Sequence, residues 1–110
     1  MQLTLDVCSD ATLLRVAGSF DAVTVADFEV EWKKAVDAGT TKLVVDLSGV
    51  DYISSAGLRG VLLLAKTSKA RGFGLAFAGL TGMVADMFKL SGFLTILAVY
   101  PDADTAAAAL

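Results

Sequence analysis

The sequence predicts an α/β domain with a mostly parallel, mixed β-sheet of four to five strands and about four helices. After Asp21, segments with strand-like and helix-like hydrophobic patterns alternate, which is typical of parallel strands joined by right-handed crossover helices. Before Asp21, two strand-like segments follow each other without a helix between them, so they predict an antiparallel component. The chain has 110 residues, of which 55% are hydrophobic and 19% charged. We therefore expect residues 1–110 to form one domain with one substantial core.

The N-terminal residues predict a β-hairpin. Residues 2–8 alternate polar and apolar side chains, and residues 12–17 form a second strand-like segment after a turn at Ser9 and Asp10. Cys8 lies near the end of the first strand and is the only cysteine, which excludes an internal disulfide. We expect Cys8 to act as a small apolar side chain.

An amphipathic helix is predicted over residues 24–37. Thr24 followed by Asp27 is a plausible capping pair at its start, and Gly39 is typical of a helix end. Apolar side chains recur at helical spacing, at Val25, Phe28, Trp32, Ala35 and Val36.

The third strand and the second helix enclose a serine pair. Residues 42–47 are apolar on both sides apart from Asp46, which predicts a central strand of the sheet. Residues 58–69 place apolar side chains on one stripe and cationic side chains on the other, which predicts a helix. Ser54 and Ser55 lie between these two elements.

The C-terminal part completes the alternation of strands and helices. A fourth strand is predicted over residues 75–79, a third helix over 81–90 and a fifth strand over 93–100. After Pro101, a short last helix ends in a run of alanines. The third helix carries an apolar stripe that we expect to lie mainly in the core, formed by Met83, Met87 and Phe88.

Composition excludes several classes of function. The net charge of −3 and the pI of about 4.6 argue against a nucleic-acid partner, which would require a basic surface. No apolar stretch approaches the roughly 20 residues of a membrane span, so we expect no membrane insertion and a cytoplasmic location. The chain has no histidine, which argues against a zinc site and excludes a serine–histidine catalytic pair within the chain. We expect no cofactor and no enzymatic activity.

The serine pair allows two interpretations. A serine at the first turn of a helix faces backbone N–H groups that have no partner within the helix. Ser55 could therefore be an N-cap, worth about 1 kcal/mol of stability. The same position could equally carry a phosphate, because a helix N-terminus favours negative charge.

Several segments, taken in order along the chain, resemble the STAS domain of the anti-sigma factor antagonist family. The resemblance covers nearly the whole length and implies the STAS fold for residues 1–110. The strongest segments are residues 44–50 (VVDLSGV) and 52–59 (YISSAGLR). The supporting segments are Gly18-Ser19-Phe20-Asp21, Gly79-Leu80, Leu90-Ser91-Gly92-Phe93 and Tyr100-Pro101-Asp102.

This resemblance implies a partner-switching mechanism. In the family, an unphosphorylated antagonist binds an anti-sigma factor that is a serine kinase of the GHKL type, and the sigma factor is released. The kinase then phosphorylates one serine of the antagonist, which ends the binding, and a PP2C-like phosphatase removes the phosphate. The resemblance therefore implies these two partners and an output in transcription, for a protein expected to be a monomer.

The same resemblance implies which serine accepts the phosphate. The family's acceptor lies two positions before the glycine that opens the helix, which here is Ser55 before Gly57. Family members usually carry aspartate directly before the acceptor, whereas this chain has Ser54, which is the second choice. The expected partner-binding residues are Asp21, Ser54, Ser55, Ala56, Gly57, Leu58 and Arg59.

Arg59 and Asp21 each allow two interpretations. Arg59 replaces a glycine common in the family and follows Ser55 by four residues, so both can share one helical face. It could pair with the phosphate or with an acidic patch of the partner, or it could be a solvated arginine. Asp21 matches the family's aspartate beside the phosphorylation site, but it could also simply cap the first helix.

Two alternatives to the switch remain at the level of sequence. A STAS adaptor subunit of a membrane lipid-transport ATPase would bind by a fixed surface and need no phosphate. An enzyme using Asp46, Asp51, Ser54 and Ser55 is disfavoured, because no base is present to activate either serine. The Gly-x-Ser-x-Gly elbow and a Walker-type phosphate loop are also absent from the sequence.

Overall fold

The computed structural model describes all residues 1–110 and contains a five-stranded sheet, four α-helices and one short 3₁₀ helix. The predicted fold class is confirmed. The strands are β1 (Gln2–Cys8), β2 (Ala11–Phe20), β3 (Lys42–Ile53), β4 (Gly74–Ala78) and β5 (Val99–Tyr100). The helices are α1 (Val25–Asp37), α2 (Ser55–Arg71), α3 (Gly82–Leu90) and α4 (Ala103–Ala109), and the 3₁₀ helix is Phe93–Thr95.

The sheet follows the order of the chain. The strands lie side by side as β1-β2-β3-β4-β5, with β1 antiparallel to β2 and every other pair parallel. The predicted hairpin is therefore confirmed, as is the parallel arrangement of the later strands. Because β2 and β3 are parallel and Phe20 pairs with Ile53, the segments that leave these two strands start side by side.

Two apolar clusters lie on opposite faces of the sheet. On β3, Leu43 and Val45 belong to the larger cluster and Val44 to the smaller one, as expected for side chains that alternate across a strand. The larger cluster includes side chains of α1, α2 and α3, such as Trp32, Leu64 and Phe88, and the smaller one includes Ala106 and Ala107 of α4. Three helices therefore cover one face, and the short α4 covers part of the other.

Strand β3 extends further than its sequence predicts. The apolar pattern indicated an end at Leu47, but the strand continues to Ile53, with Val50 and Ile53 buried. Ser48 and Gly49 interrupt the apolar pattern, and the pairing with β2 shifts register in this part of the ladder. A shift of register breaks the two-residue period, which explains why the pattern ended early.

The prediction of a strand over residues 93–100 is wrong for most of its length. Gly92 has a φ of +76°, and its carbonyl accepts hydrogen bonds from the backbone N–H and the hydroxyl of Thr95. These contacts close the Phe93–Thr95 3₁₀ turn, and only Val99 and Tyr100 join the sheet. Ile96 beyond the turn is 52% exposed, so the apolar run did not mark a buried strand.

The ends of α1 and the apolar stripe of α3 were predicted in part. Thr24 makes no side-chain capping bond to α1, so the expected capping pair with Asp27 is wrong. Gly39 follows the helix with a φ of +100° and its N–H bonds to the carbonyl of Val36, so the predicted stop is confirmed. On α3, Phe88 is buried in the core, whereas Met83 is 37% exposed.

Candidate functional site

The candidate site lies where β2 and β3 end. The backbone N–H of Ser54 donates a hydrogen bond to the carbonyl oxygen of Phe20, at 2.9 Å. This bond ties the start of α2 to the turn that follows β2, which contains Asp21. The structure thus brings together the two segments in which the sequence places its candidate residues.

Ser54 caps α2. Its backbone is extended, with φ −93° and ψ 174°, and its Oγ accepts a hydrogen bond from the N–H of Gly57 at 3.2 Å. This arrangement satisfies one of the N–H groups that the first turn of a helix leaves without a partner. The N-cap that the sequence suggested for Ser55 therefore belongs to Ser54.

Ser55 is the first residue of α2 and is exposed. Its hydroxyl makes no hydrogen bond within the protein, in contrast to that of Ser54. A capping residue lies directly before the first residue of a helix, but Ser55 is already part of α2. The two neighbouring hydroxyls therefore differ. The Ser54 hydroxyl is hydrogen-bonded to the backbone of α2, and the Ser55 hydroxyl is accessible to another molecule.

Gly57 is required by close packing and not only by access. A Cβ at this residue would lie 2.6 Å from the Phe20 carbonyl oxygen and 2.9 Å from Cγ1 of Ile53, which is too close for either contact. Gly57 and Leu58 are both buried and face the core side of α2. Of the predicted partner-binding residues on this helix, only Ser55 and Arg59 are exposed, and Ala56 is half-buried.

Asp21 organises the turn beside Ser54. Its Oδ1 accepts hydrogen bonds from the backbone N–H groups of Val23 and Thr24, at 3.0 and 3.1 Å, and from the Thr24 hydroxyl at 3.2 Å. These bonds, first among them the one from the Thr24 backbone, hold the pKa of the Asp21 carboxyl below its usual value. Asp21 therefore shapes the turn that precedes α1, and it also lies next to the serine pair.

Arg59 lines a groove between α1 and α2. The groove has a volume of about 340 Å³, and Ala56, Gly60 and Val25 are among its lining residues. No acidic oxygen lies within 4 Å of the Arg59 guanidinium, and Glu29, which lines the same groove, pairs with Lys33 at 3.6 Å. The arginine is therefore exposed and carries an uncompensated charge on the helix that begins with Ser55.

Two exposed apolar residues near the serine pair were not predicted as site residues. Val23 is 84% exposed in the turn after β2, and Tyr52 is 46% exposed on β3, where it pairs with Ser19. Both side chains are available for contact with another protein at this end of the sheet. The available signal was the apolar Val23, two residues after the turn-forming Asp21.

The remaining chemistry of the chain is sparse. No three histidine, cysteine, aspartate or glutamate side chains lie close enough to hold a metal ion. No helix combines the length and the apolar character needed to cross a bilayer. Cys8 donates a hydrogen bond to the Asp104 carboxylate at 3.2 Å, and this bond is the first cause of a raised pKa of the thiol.

A family model and a relative of known sequence identify the family of the chain. The STAS domain family model matches residues 2–106. The chain is 38% identical over 109 residues to BtrV of Bordetella bronchiseptica, named as a candidate anti-sigma factor antagonist, and the match covers 99% of this chain and 94% of BtrV.

Solved structures show the same fold. An anti-sigma factor antagonist from Mycobacterium paratuberculosis superposes with a TM-score of 0.86 at 24% identity, covering 98% of this chain and 92% of that one. The Bacillus cell fate determinant SpoIIAA, solved in its phosphorylated form, superposes with a TM-score of 0.74 at 14% identity, covering 99% and 100% of the two chains.

Proposed function

Because the chain belongs to the STAS domain family of anti-sigma factor antagonists, we propose that it controls its partner through a phosphate on Ser55. In its unphosphorylated form it binds an anti-sigma factor serine kinase of the GHKL type, and phosphorylation of Ser55 ends the binding. A PP2C-like phosphatase restores the binding form. The chain acts in the cytoplasm as a monomer and carries out no catalysis itself.

One observation carries the choice of serine. Ser54 and Ser55 are neighbours, but only the Ser55 hydroxyl is exposed and without a hydrogen bond, whereas Ser54 Oγ accepts from the N–H of Gly57. A kinase must bring the γ-phosphate of ATP to the acceptor oxygen. The exposure of Ser55 supports it as the acceptor, because Ser54 would have to give up its cap to react.

The physical effect of the phosphate supports a switch that acts on binding and not on folding. A phosphate adds about −1.5 to −2 charges and three acceptor oxygens. At an exposed helix N-terminus this charge is stabilised by about 0.3–1 kcal/mol, so the fold tolerates it. In a complex, the same charge would be buried against a surface that fits a bare hydroxyl, which costs far more. A cost of about 2.8 kcal/mol would weaken binding about a hundredfold.

The surface around Ser55 supports a protein partner. Val23 and Tyr52 expose apolar area at the same end of the sheet, and Arg59 presents an uncompensated positive charge beside the groove between α1 and α2. Protein interfaces commonly combine apolar contacts at the centre with a polar rim, and arginine and tyrosine are enriched in them. We assign Asp21 to shaping this surface through its turn.

The test uses the purified chain, ATP and the anti-sigma kinase of the same organism. We expect mass spectrometry to find one phosphate on the wild type and on Ser54→Ala, and none on Ser55→Ala. Ser54→Ala is the matched control, because it removes the neighbouring hydroxyl by the same chemical change.

Binding to the unmodified kinase is measured in parallel by calorimetry. Ser55→Ala is expected to bind as tightly as the wild type, and Ser55→Asp about a hundredfold more weakly, in line with the cost estimated above. Phosphate on the Ser55→Ala variant at the wild-type rate would refute the assignment of the acceptor. Equal affinity of Ser55→Asp and wild type would refute the switch itself.

A further inference from the structure

Helix α2 has an unusual distribution of charge for this acidic chain. It carries four of the nine lysine and arginine residues of the protein and no aspartate or glutamate. The chain as a whole has a net charge of −3. The positive charge of the molecule is therefore concentrated on the helix that begins with Ser55.

Three of these cations lie on the same face as Ser55. At 3.6 residues per turn, Ser55, Arg59, Lys66 and Lys69 fall within one side of the helix, and all four are exposed. The opposite side of α2 is buried, at Gly57, Leu58, Val61, Leu64 and Ser68. With a rise of 1.5 Å per residue, this cationic face extends about 21 Å from Ser55 to Lys69.

The three cations have no acidic partner within the protein. Among the four cationic side chains of α2, only Arg71 at the end of the helix forms an ion pair, with Asp37 at 3.2 Å. On α1, by contrast, Lys33 pairs with Glu29 and Lys34 pairs with Glu31, at 3.6 and 3.0 Å. The two lysine charges of α1 are thus compensated within the helix, whereas Arg59, Lys66 and Lys69 on α2 have no acidic partner in the protein.

Apolar grooves run beside the C-terminal half of this face. Two adjoining grooves of about 220 Å³ each share Ala65, Lys69 and Ile96 among their lining residues. Ile96 is 52% exposed, and Leu62 and Lys66 complete the wall of one groove. A partner that lies along α2 would therefore meet lysine ammonium groups and a recess for an aliphatic side chain at the same place.

We propose that the exposed α2 face formed by Arg59, Lys66 and Lys69, with the Ile96 groove beside it, is the docking surface for an acidic segment of the kinase that carries an aliphatic side chain. This inference rests on the proposed function and adds the chemistry of the partner. Opposite charges raise the rate of encounter and fix the orientation of two proteins. The phosphate on Ser55 would add negative charge to the same face, so it would also weaken this attraction.

The experiment compares two pairs of lysine substitutions. Lys66→Gln with Lys69→Gln removes two unpaired charges from α2, and Lys33→Gln with Lys34→Gln removes two paired charges from α1. Both variants change the net charge equally, and glutamine keeps a helix propensity close to that of lysine. Thermal unfolding confirms that both remain folded. Affinity for the purified kinase is then measured at about 0.05 M and about 0.5 M NaCl, because salt screens exposed charges.

We expect the α2 pair to bind about tenfold more weakly at low salt, with most of the difference lost at high salt, and the α1 pair to change less than about twofold. We expect Ile96→Ala to weaken binding at both salt concentrations, because an apolar contact is not screened. Equal affinities of the two lysine pairs, or an unchanged affinity of Ile96→Ala, would overturn the docking surface while leaving the switch on Ser55 intact. A wild type that does not bind the kinase would overturn both proposals. A dimer that dissociates in the α2 pair would assign this face to a second copy and overturn the inference.

Discussion

Replacing Ser54 and Ser55 by alanine, one at a time, should separate a structural hydroxyl from a regulatory one. Ser54→Ala removes the Oγ that accepts from the N–H of Gly57 at 3.2 Å. Loss of an N-cap serine costs about 1 kcal/mol, with a range of about 0.5–2 kcal/mol. For 110 residues, an unfolding entropy of about 2.1 cal/mol/K per residue converts 1 kcal/mol into a Tm lower by about 4 °C. Ser55→Ala removes an exposed hydroxyl that makes no hydrogen bond within the protein, and it should change stability by less than about 0.5 kcal/mol.

Urea unfolding followed by circular dichroism measures both variants on the same footing. The slope of the unfolding free energy with urea should be unchanged, so that the midpoints report stability directly. Incubation with the kinase and ATP should affect the two variants in the opposite way: we expect Ser54→Ala to be phosphorylated and Ser55→Ala to remain unmodified. If Ser55→Ala lost as much stability as Ser54→Ala, the assignment of the cap to Ser54 would be wrong.

Three further changes test contacts at the two ends of α2 and in the turn before α1. Gly57→Ala should lower the unfolding free energy, because overpacking against the Phe20 carbonyl costs about 1–3 kcal/mol. The higher helix propensity of alanine offsets about 1 kcal/mol of this cost. Chemical denaturation measures the sum, and a net gain in stability would contradict the close approach of Gly57 to Phe20. Asp21→Asn should lower the unfolding free energy at neutral pH and reduce the loss of stability on acidification. The pKa of Asp21 in the folded protein lies below its usual value of 3.8, so the Asp21 carboxylate stabilises the fold above that pH. This stabilisation disappears as the pH falls through the lower pKa of the folded state. A pH series of melts with an unchanged acid limb would contradict this role. Ser68→Ala should lower the unfolding free energy by about 1–3 kcal/mol, because the buried Phe73 carbonyl loses the hydroxyl that donates to it at 2.6 Å. A thermal melt that matches the wild type would show that another donor replaces the hydroxyl.

Much of the architecture could be predicted because it depends on local patterns. Hydrophobic periodicity predicts the N-terminal hairpin and the amphipathic α1, and the glycine at position 39, which has a positive φ, marks the stop after this helix. The fifth strand failed because an apolar run does not distinguish a strand from a 3₁₀ turn. The decisive contacts there are hydrogen bonds between Gly92 and Thr95, and side-chain patterns do not report them.

The candidate site could be located from sequence but not divided between its two serines. The pattern indicated that one hydroxyl near Gly57 would face the N-terminus of a helix. Which serine does so depends on the residue at which β3 ends, and β3 extends six residues beyond its predicted end at Leu47. That extension follows from the irregular pairing of β3 with β2, which is a tertiary property.

The capping of α2 by Ser54, and not by Ser55, has a consequence for the proposed switch. A phosphate on the capping serine would change the group that accepts from the Gly57 N–H, so modification there would alter the start of α2 as well as the interface. With the cap on Ser54, the helix would keep its start if Ser55 carried the proposed phosphate. The tie between the Ser54 N–H and the Phe20 carbonyl also stays in place, and with it the turn that Asp21 organises. Under the proposed switch, the backbone around Ser55 would therefore keep its arrangement after modification, and the difference in binding would arise from the added phosphate itself.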